Sequence, residues 1–296
     1  MSIDVSKQVY ESEATGWQRG LYDDLKTTFH APVVNWFFRT LMANQPAFFR
    51  YAWGQLKPAF ETRAFAQYEV TYRDTVLSIL EDDHALPQYT PSAVGVSPAE
   101  FREAHGQLAT LDTMAPRLAF VFELLDTALS GEQIGSSPSE EWAATAPFPT
   151  LDRQQSRSVT MIPFEDVPDS LADTVTAIRE YHGFDSGLPT IYRSLAQWPS
   201  LLDTMWDDLE SVLESTAFEA ACVSSWSHAE AHVSSLPYTP RLAPADLREI
   251  DLTDDDVAAL QGLADQFRHG PVETVLPAVT LYANVLGASG PRNGIQ

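Results

Sequence analysis

The sequence predicts an all-α protein built as a tandem duplication of one helical unit, and three observations lead there. Apolar residues recur at spacings of three and four along most of the chain, which is the helical period. Sustained alternation of period two, the mark of a half-buried strand, is hard to find. Six residues of one segment also recur later in the chain at a constant separation of 153. Pro46, Trp53, Leu56, Glu61, Ala64 and Phe65 return as Pro199, Trp206, Leu209, Glu214, Ala217 and Phe218.

Taken in order, the periodic segments of the first half are 17–29, 33–44, 47–62, 65–83, 98–112 and 117–130, and those of the second are 168–182, 190–197, 200–214, 217–234, 253–268 and 272–286. Start signals agree with two of them. Ser97-Pro98-Ala99-Glu100 reads as an N-cap, a first-turn proline and a capping-box acid, and Thr253 followed by Asp254, Asp255 and Asp256 places acids where a helix dipole favours them. Pro116 and Pro271 are read as openings of corresponding apolar helices.

The chain therefore divides into a flexible 1–16, a first repeat over 17–130, a linker over 131–165, a second repeat over 166–287 and a frayed tail from 288 to 296. The repeating unit is roughly 130 residues long, related to its copy by a pseudo-twofold axis, with a cleft where the copies meet. The linker is rich in Ser, Pro, Gln and Thr, and Trp142 and Phe148 are its candidates for packing on a neighbour.

Composition excludes whole classes of function. Lys plus Arg number 18 against 41 Asp plus Glu, a formal charge of −23 spread along the chain. Phosphate binding needs clustered cations, so no nucleic-acid partner is expected. Self-repulsion of this size is screened in concentrated salt, and the composition reads as that of a halophilic cytoplasmic protein. No signal-peptide core stands at the amino terminus, and the most apolar stretch, 118–125, is interrupted by Glu123 and too short to span a bilayer. One cysteine, Cys222, excludes an intramolecular disulfide and reads as a buried, inert thiol.

No phosphate loop, nucleophile elbow or dinucleotide fingerprint occurs. His228 and His232 stand one helical turn apart, but the order HAEAH lacks the protease glutamate and a third ligand, so they read as surface or interface histidines and no metal is assigned.

The segments GLYDDLKTTFHAPVVNWFFRTLMANQP with Ala52-Trp53, YRSLAQWPSLL and DDVAALQGLADQF resemble the group I 2-haloacid dehalogenases of the DehI type. The resemblance implies hydrolytic removal of halide from short 2-halocarboxylic acids. An aspartate would activate a water, an asparagine from the other repeat would hold it, and no cofactor would take part. The position of that aspartate falls on Ile191, behind Thr190, and that of the asparagine on Ala115. The implied cleft is lined by Val33, Trp36, Ala115, Thr190, Ile191 and Phe267. Asp185, Tyr192, Arg117, Arg268 and His269 are the polar groups within reach in the sequence, with Asp185 and His269 as substitute bases. A non-catalytic relative that binds a small organic acid, an apolar ligand or a partner protein in the same cleft is the alternative, and a homodimer through apolar helix faces is a further expectation.

Overall fold

The structure is a computed structural model and describes residues 3–135 and 157–292. Among these the architecture is all-helical, and Trp142 and Phe148 lie outside them. The first half comprises α1 (Gly16–Phe29), α2 (Trp36–Asn44), α3 (Pro46–Phe60), α4 (Arg63–Asp83) and α5 (Pro98–Ser130). The second comprises α6 (Ala172–His182), α7 (Thr190–Leu195), α8 (Pro199–Leu213), α9 (Thr216–Ser234), α10 (Pro244–Arg248), α11 (Asp254–Arg268) and α12 (Val272–Val285). Two short 3₁₀ turns, Phe164–Asp166 and Asp169–Leu171, precede α6, so the helix expected from 168 starts four residues later.

Helix starts follow local chemistry. Both capping boxes form, Ser97 with Glu100 and Thr253 with Asp256. Helix α2 starts at Trp36 and not at 33, because the Asn35 side chain accepts from the Phe37 N–H at 2.9 Å and fixes the first turn there. The starts of α4 and α9 are built alike. Thr62 Oγ1 accepts from Phe65 N at 3.1 Å and donates to Ala59 O at 2.8 Å, while Ser215 Oγ accepts from Phe218 N at 3.2 Å and donates to Val212 O at 2.6 Å. Each atom of the second set lies 153 residues beyond its counterpart.

One expectation is corrected by the longest element. Residues 98–112 and 117–130 form a single 33-residue helix, α5, that runs through Pro116. A proline inside a helix orphans the carbonyl four residues back; here that carbonyl, Asp112 O, accepts from Arg73 Nη2 of α4 at 3.2 Å. Helix α12 uses the same device. Pro277 lies inside it, and the orphaned Glu273 carbonyl accepts from Trp226 Nε1 of α9 at 3.0 Å. Pro271 caps α12 while Pro116 is interior to α5, so the two prolines do not open corresponding helices.

Helix α5 is the axis of the molecule, packing against α4, α7, α9, α11 and α12, and α4 lies along α9. Leu108, Ala119, Phe120, Val121 and Leu124 of α5 are fully buried. Two ion pairs are buried beside it: Arg73 Nε to Asp112 Oδ2 at 2.7 Å, and Arg117 Nε to Glu69 Oε1 at 2.6 Å.

The chain ends are fastened where they are described. Near the start, Asp4 N donates to Asn44 Oδ1 at 3.0 Å and Val9 N to Arg39 O at 3.2 Å, which lays residues 4–9 on α2 instead of leaving them loose. Near the end, Gly290 N donates to Asp112 Oδ2 at 2.9 Å, and Arg292 reaches both Glu81 oxygens at 2.6 and 2.7 Å, so the segment from 288 to 292 is not frayed. No described helix is long and apolar enough to cross a membrane.

Candidate functional site

An aromatic wall joins the two halves. The Phe267 ring of α11 lies with its centroid 5.0 Å from Trp36, 5.0 Å from Phe37 and 5.1 Å from Phe122 of α5. Phe37 and Phe122 meet edge-on at 5.1 Å. These tilted and edge-on pairings suit the ring quadrupoles. Trp36 is half-buried and anchored by its Nε1, which donates to Val5 O at 3.3 Å. Phe37, Phe122 and Phe267 are buried.

Of the six residues expected to line the cleft, Trp36 and Phe267 are thus brought into contact. Ala115 and Ile191 are both 1% exposed and sit on α5 and α7, two helices that pack on each other. Val33 is partly exposed in the turn before α2, and Thr190 is the partly exposed first residue of α7. No contact joins either of them to the aromatic wall among the described interactions.

The joint between α5 and α7 is polar at one point that sequence reading missed. Gln107 Oε1 accepts from Ser194 Oγ at 2.7 Å, from Thr160 N at 3.0 Å and from Gln197 Nε2 at 3.2 Å. The signal available in the sequence was weak: an uncharged amide on an otherwise apolar helix face. Beside Ile191, Tyr192 is fully buried, its hydroxyl 2.7 Å from His182 Nε2, and His182 Nδ1 lies 2.7 Å from Thr274 Oγ1. Burial holds His182 neutral, with its pKa pushed down to about 3.

Two of the polar groups considered for the site are committed elsewhere. Arg117 grips both Glu69 oxygens at 2.6 and 2.9 Å and also donates to the Thr28 carbonyl. Arg268 pairs with Glu123 at 2.5 Å and lies 4.1 Å above the Trp226 ring. Both are fastenings of the bundle.

The two substitute bases differ in setting. Asp185 is exposed at the edge of a shallow depression lined by Arg179, Gly183 and Phe184, and its backbone carbonyl accepts from Arg179. His269 is half-exposed with Nε2 3.1 Å from Asp126 Oδ2, and Asp265 completes a surface trio whose ligand-type atoms lie within 4.8 Å of one another.

His228 and His232 are interface residues: both rings stack on Tyr68 of α4, at 5.0 and 4.5 Å. Burial, helped by the His228 charge, lowers His232 to about 3. Cys222 is buried and its thiol is pushed up to about 12, so it carries no thiolate at neutral pH.

The family model described as "Halocarboxylic acid dehydrogenase DehI" matches residues 32–167. This stretch contains α2, α5 and the half-buried Trp36. The match covers 136 of the 296 residues, and over that stretch the chain is similar to the DehI family. A curated relative, the (R)-2-haloacid dehalogenase of Pseudomonas putida, is 24% identical over 241 residues, covering 79% of this chain and 77% of that protein. Three solved structures share the fold with a TM-score of 0.80 and 20% identity, covering 94% of this chain and 95% of theirs. They are a D-2-haloacid dehalogenase mutant, a mutant complex with D-2-CPA, and a complex with L-LA.

Proposed function

We propose that the protein releases halide hydrolytically from short 2-halocarboxylic acids, with the substrate held between its two helical halves and no cofactor involved. What supports the reading is the similarity to the DehI family model over residues 32–167 together with a shared fold over 94% of the chain. The aromatic wall of Trp36, Phe37, Phe122 and Phe267 adds an apolar surface suited to a carbon–halogen end.

Water attacks C2 only as a base begins to take its proton. Ile191 and Ala115 have no group able to take or orient that proton, so the base is another residue. Of Asp185 and His269, His269 has the better geometry. Asp126 at 3.1 Å orients its imidazole, the arrangement a general base requires, whereas Asp185 has no orienting partner among the described residues.

The test is halide release from both enantiomers of 2-chloropropionate in molar salt. Release is expected from the wild type, with a loss of about 100-fold in His269→Ala and little change in Asp185→Ala. A wild type that liberates no halide removes the hydrolase reading. The apolar character of Ile191 and Ala115 favours a second reading, a non-catalytic relative that binds a small apolar or carboxylate ligand or a partner protein in the same place. Silence in the halide assay with ligand binding intact selects it.

We infer further that the two halves arose by duplication of one unit. The matched caps at Thr62 and Ser215, and the paired proline rescues by Arg73 and Trp226, both 153 residues apart, support this. The charge of −23 supports a halophilic, cytoplasmic setting, and association as a homodimer through apolar helix faces remains part of the proposal.

A further inference from the structure

In a chain with 41 Asp and Glu against 18 Lys and Arg, an exposed carboxylate by itself marks nothing. One surface group differs in its chemistry and in how it is built. Asp126 of α5, Asp265 of α11 and His269, the residue that caps α11, each offer one ligand-type atom, and these atoms lie within 4.8 Å of one another. No other three His, Cys, Asp or Glu side chains converge in this way among the described residues.

Asp265 and His269 stand four residues apart, so both side chains leave one face of α11. The turn between them is closed by the His269 N–H, which donates to the Asp265 carbonyl at 2.7 Å. Asp126 comes from a second helix, α5, that packs directly on α11. Its Oδ2 lies 3.1 Å from His269 Nε2. Two atoms bound to one ion at about 2.0–2.2 Å stand about 3–3.5 Å apart in octahedral or tetrahedral geometry, so this pair already has the spacing of neighbouring ligands. Asp265 is exposed, and rotation of its own side chain closes the third side.

A hydrogen bond alone accounts for the pairing of His269 with Asp126; it does not account for Asp265. That carboxylate makes no hydrogen bond or ion pair with any described residue outside the trio, and it stands in the last turn of α11, where the helix dipole opposes an acid and favours a cation. The Asp126 carboxylate beside it adds like-charge repulsion. Arg268, the nearest cation along the chain, is committed elsewhere: it pairs with Glu123 at 2.5 Å and Glu273 at 3.5 Å and lies over the Trp226 ring. A divalent ion answers both carboxylates and the carbonyl end of the helix together.

We propose that Asp126, Asp265 and His269 form a binding site for a divalent cation of the zinc class. One imidazole with two carboxylates suits zinc and its transition-metal neighbours, whereas calcium and magnesium favour oxygen alone. Three protein ligands leave a further position to water at a site this exposed. The site stands on its own geometry, and only its effect on turnover rests on the hydrolase reading. A neutral imidazole has a single lone pair, so an ion held by His269 leaves none to accept a proton from water, and the same ion is expected to inhibit halide release.

The experiment measures metal binding apart from turnover. Metal-stripped wild-type protein in chloride-free salt is titrated calorimetrically with zinc and with magnesium ions. Asp265→Asn and Asp126→Asn are titrated alongside, with Asp82→Asn as a control that removes one exposed charge outside the trio. Circular dichroism of each variant separates a lost ligand from a lost fold. Zinc is expected to bind the wild type and to weaken by about tenfold or more in each trio variant, since even the outer partners of a metal site are worth that much. It is expected to bind Asp82→Asn as it binds the wild type, and magnesium is expected to bind far more weakly than zinc. No zinc binding by the wild type, equal zinc affinity in the wild type and both trio variants, or magnesium bound as tightly as zinc overturns the site. Halide release by a protein that binds no zinc removes the site and leaves the hydrolase reading standing. Zinc bound through the trio in a protein that releases no halide keeps the site and removes the hydrolase. Zinc bound there without inhibiting halide release keeps the site and removes His269 as the base.

Discussion

Acid should unfold this protein through two buried histidines well before its carboxylates are titrated. His182 and His232 are 5% and 8% exposed, and burial lowers both from 6.5 to about 3. His182 sits in the last turn of α6, where a helix dipole favours a cation, yet its neighbours are the neutral Tyr192 and Thr274 hydroxyls and desolvation prevails. His232 is enclosed by the rings of Phe65, Tyr68 and Phe120 at 5.7, 4.5 and 5.5 Å.

In the unfolded chain each histidine takes up a proton as pH falls through 6.5, while the native state refuses it until about 3. The unfolded state therefore binds more protons across that window, and stability falls as pH is lowered. At 1.36 kcal/mol per unit, lowering the pH from 7.5 to 5 removes roughly 2 kcal/mol per histidine and about 4 kcal/mol for the pair. His228, also lowered by burial, acts with the same sign. Carboxylates held below their usual range, such as Asp24 and Glu81, add to the loss only under more acidic conditions.

Urea denaturation at fixed high salt between pH 7.5 and 5 measures the slope. Replacing His232 by Phe should remove roughly half of the pH dependence, because that site then has nothing to protonate. A stability that stays level within about 0.5 kcal/mol over the same range would refute the reasoning, since buried histidines of this kind cannot avoid the linkage.

Three further outcomes follow from the geometry. Asp112→Ala strands Arg73 in the core and should cost about 3–5 kcal/mol by urea denaturation, whereas loss of the solvent-screened Arg241–Glu249 pair should leave the midpoint almost unmoved. Thr62→Ala and Ser215→Ala each remove a helix cap and should cost about 1 kcal/mol, by similar amounts because the two caps are built alike. Raising salt from tenths of molar to molar should raise the midpoint of thermal unfolding by screening the −23 charge, and an unchanged midpoint would argue against charge repulsion as a significant strain.

The sequence by itself determined the helices, because helix formation is written locally. Spacing of apolar residues located nearly every element, and the caps at Ser97 and Thr253 formed as their side chains dictate. The constant separation of 153 was equally legible, and it reappears at the Thr62 and Ser215 caps. Tertiary structure decided what local rules could not. Pro116 reads as a helix opening until Arg73, 43 positions earlier in the chain, is seen to satisfy the carbonyl that the proline orphans. Arg117 and Arg268 read as available cations until their distant partners Glu69 and Glu123 are seen to hold them. A helix is stabilised by neighbours three and four residues away, whereas the cost of a buried charge depends on whatever the fold brings beside it.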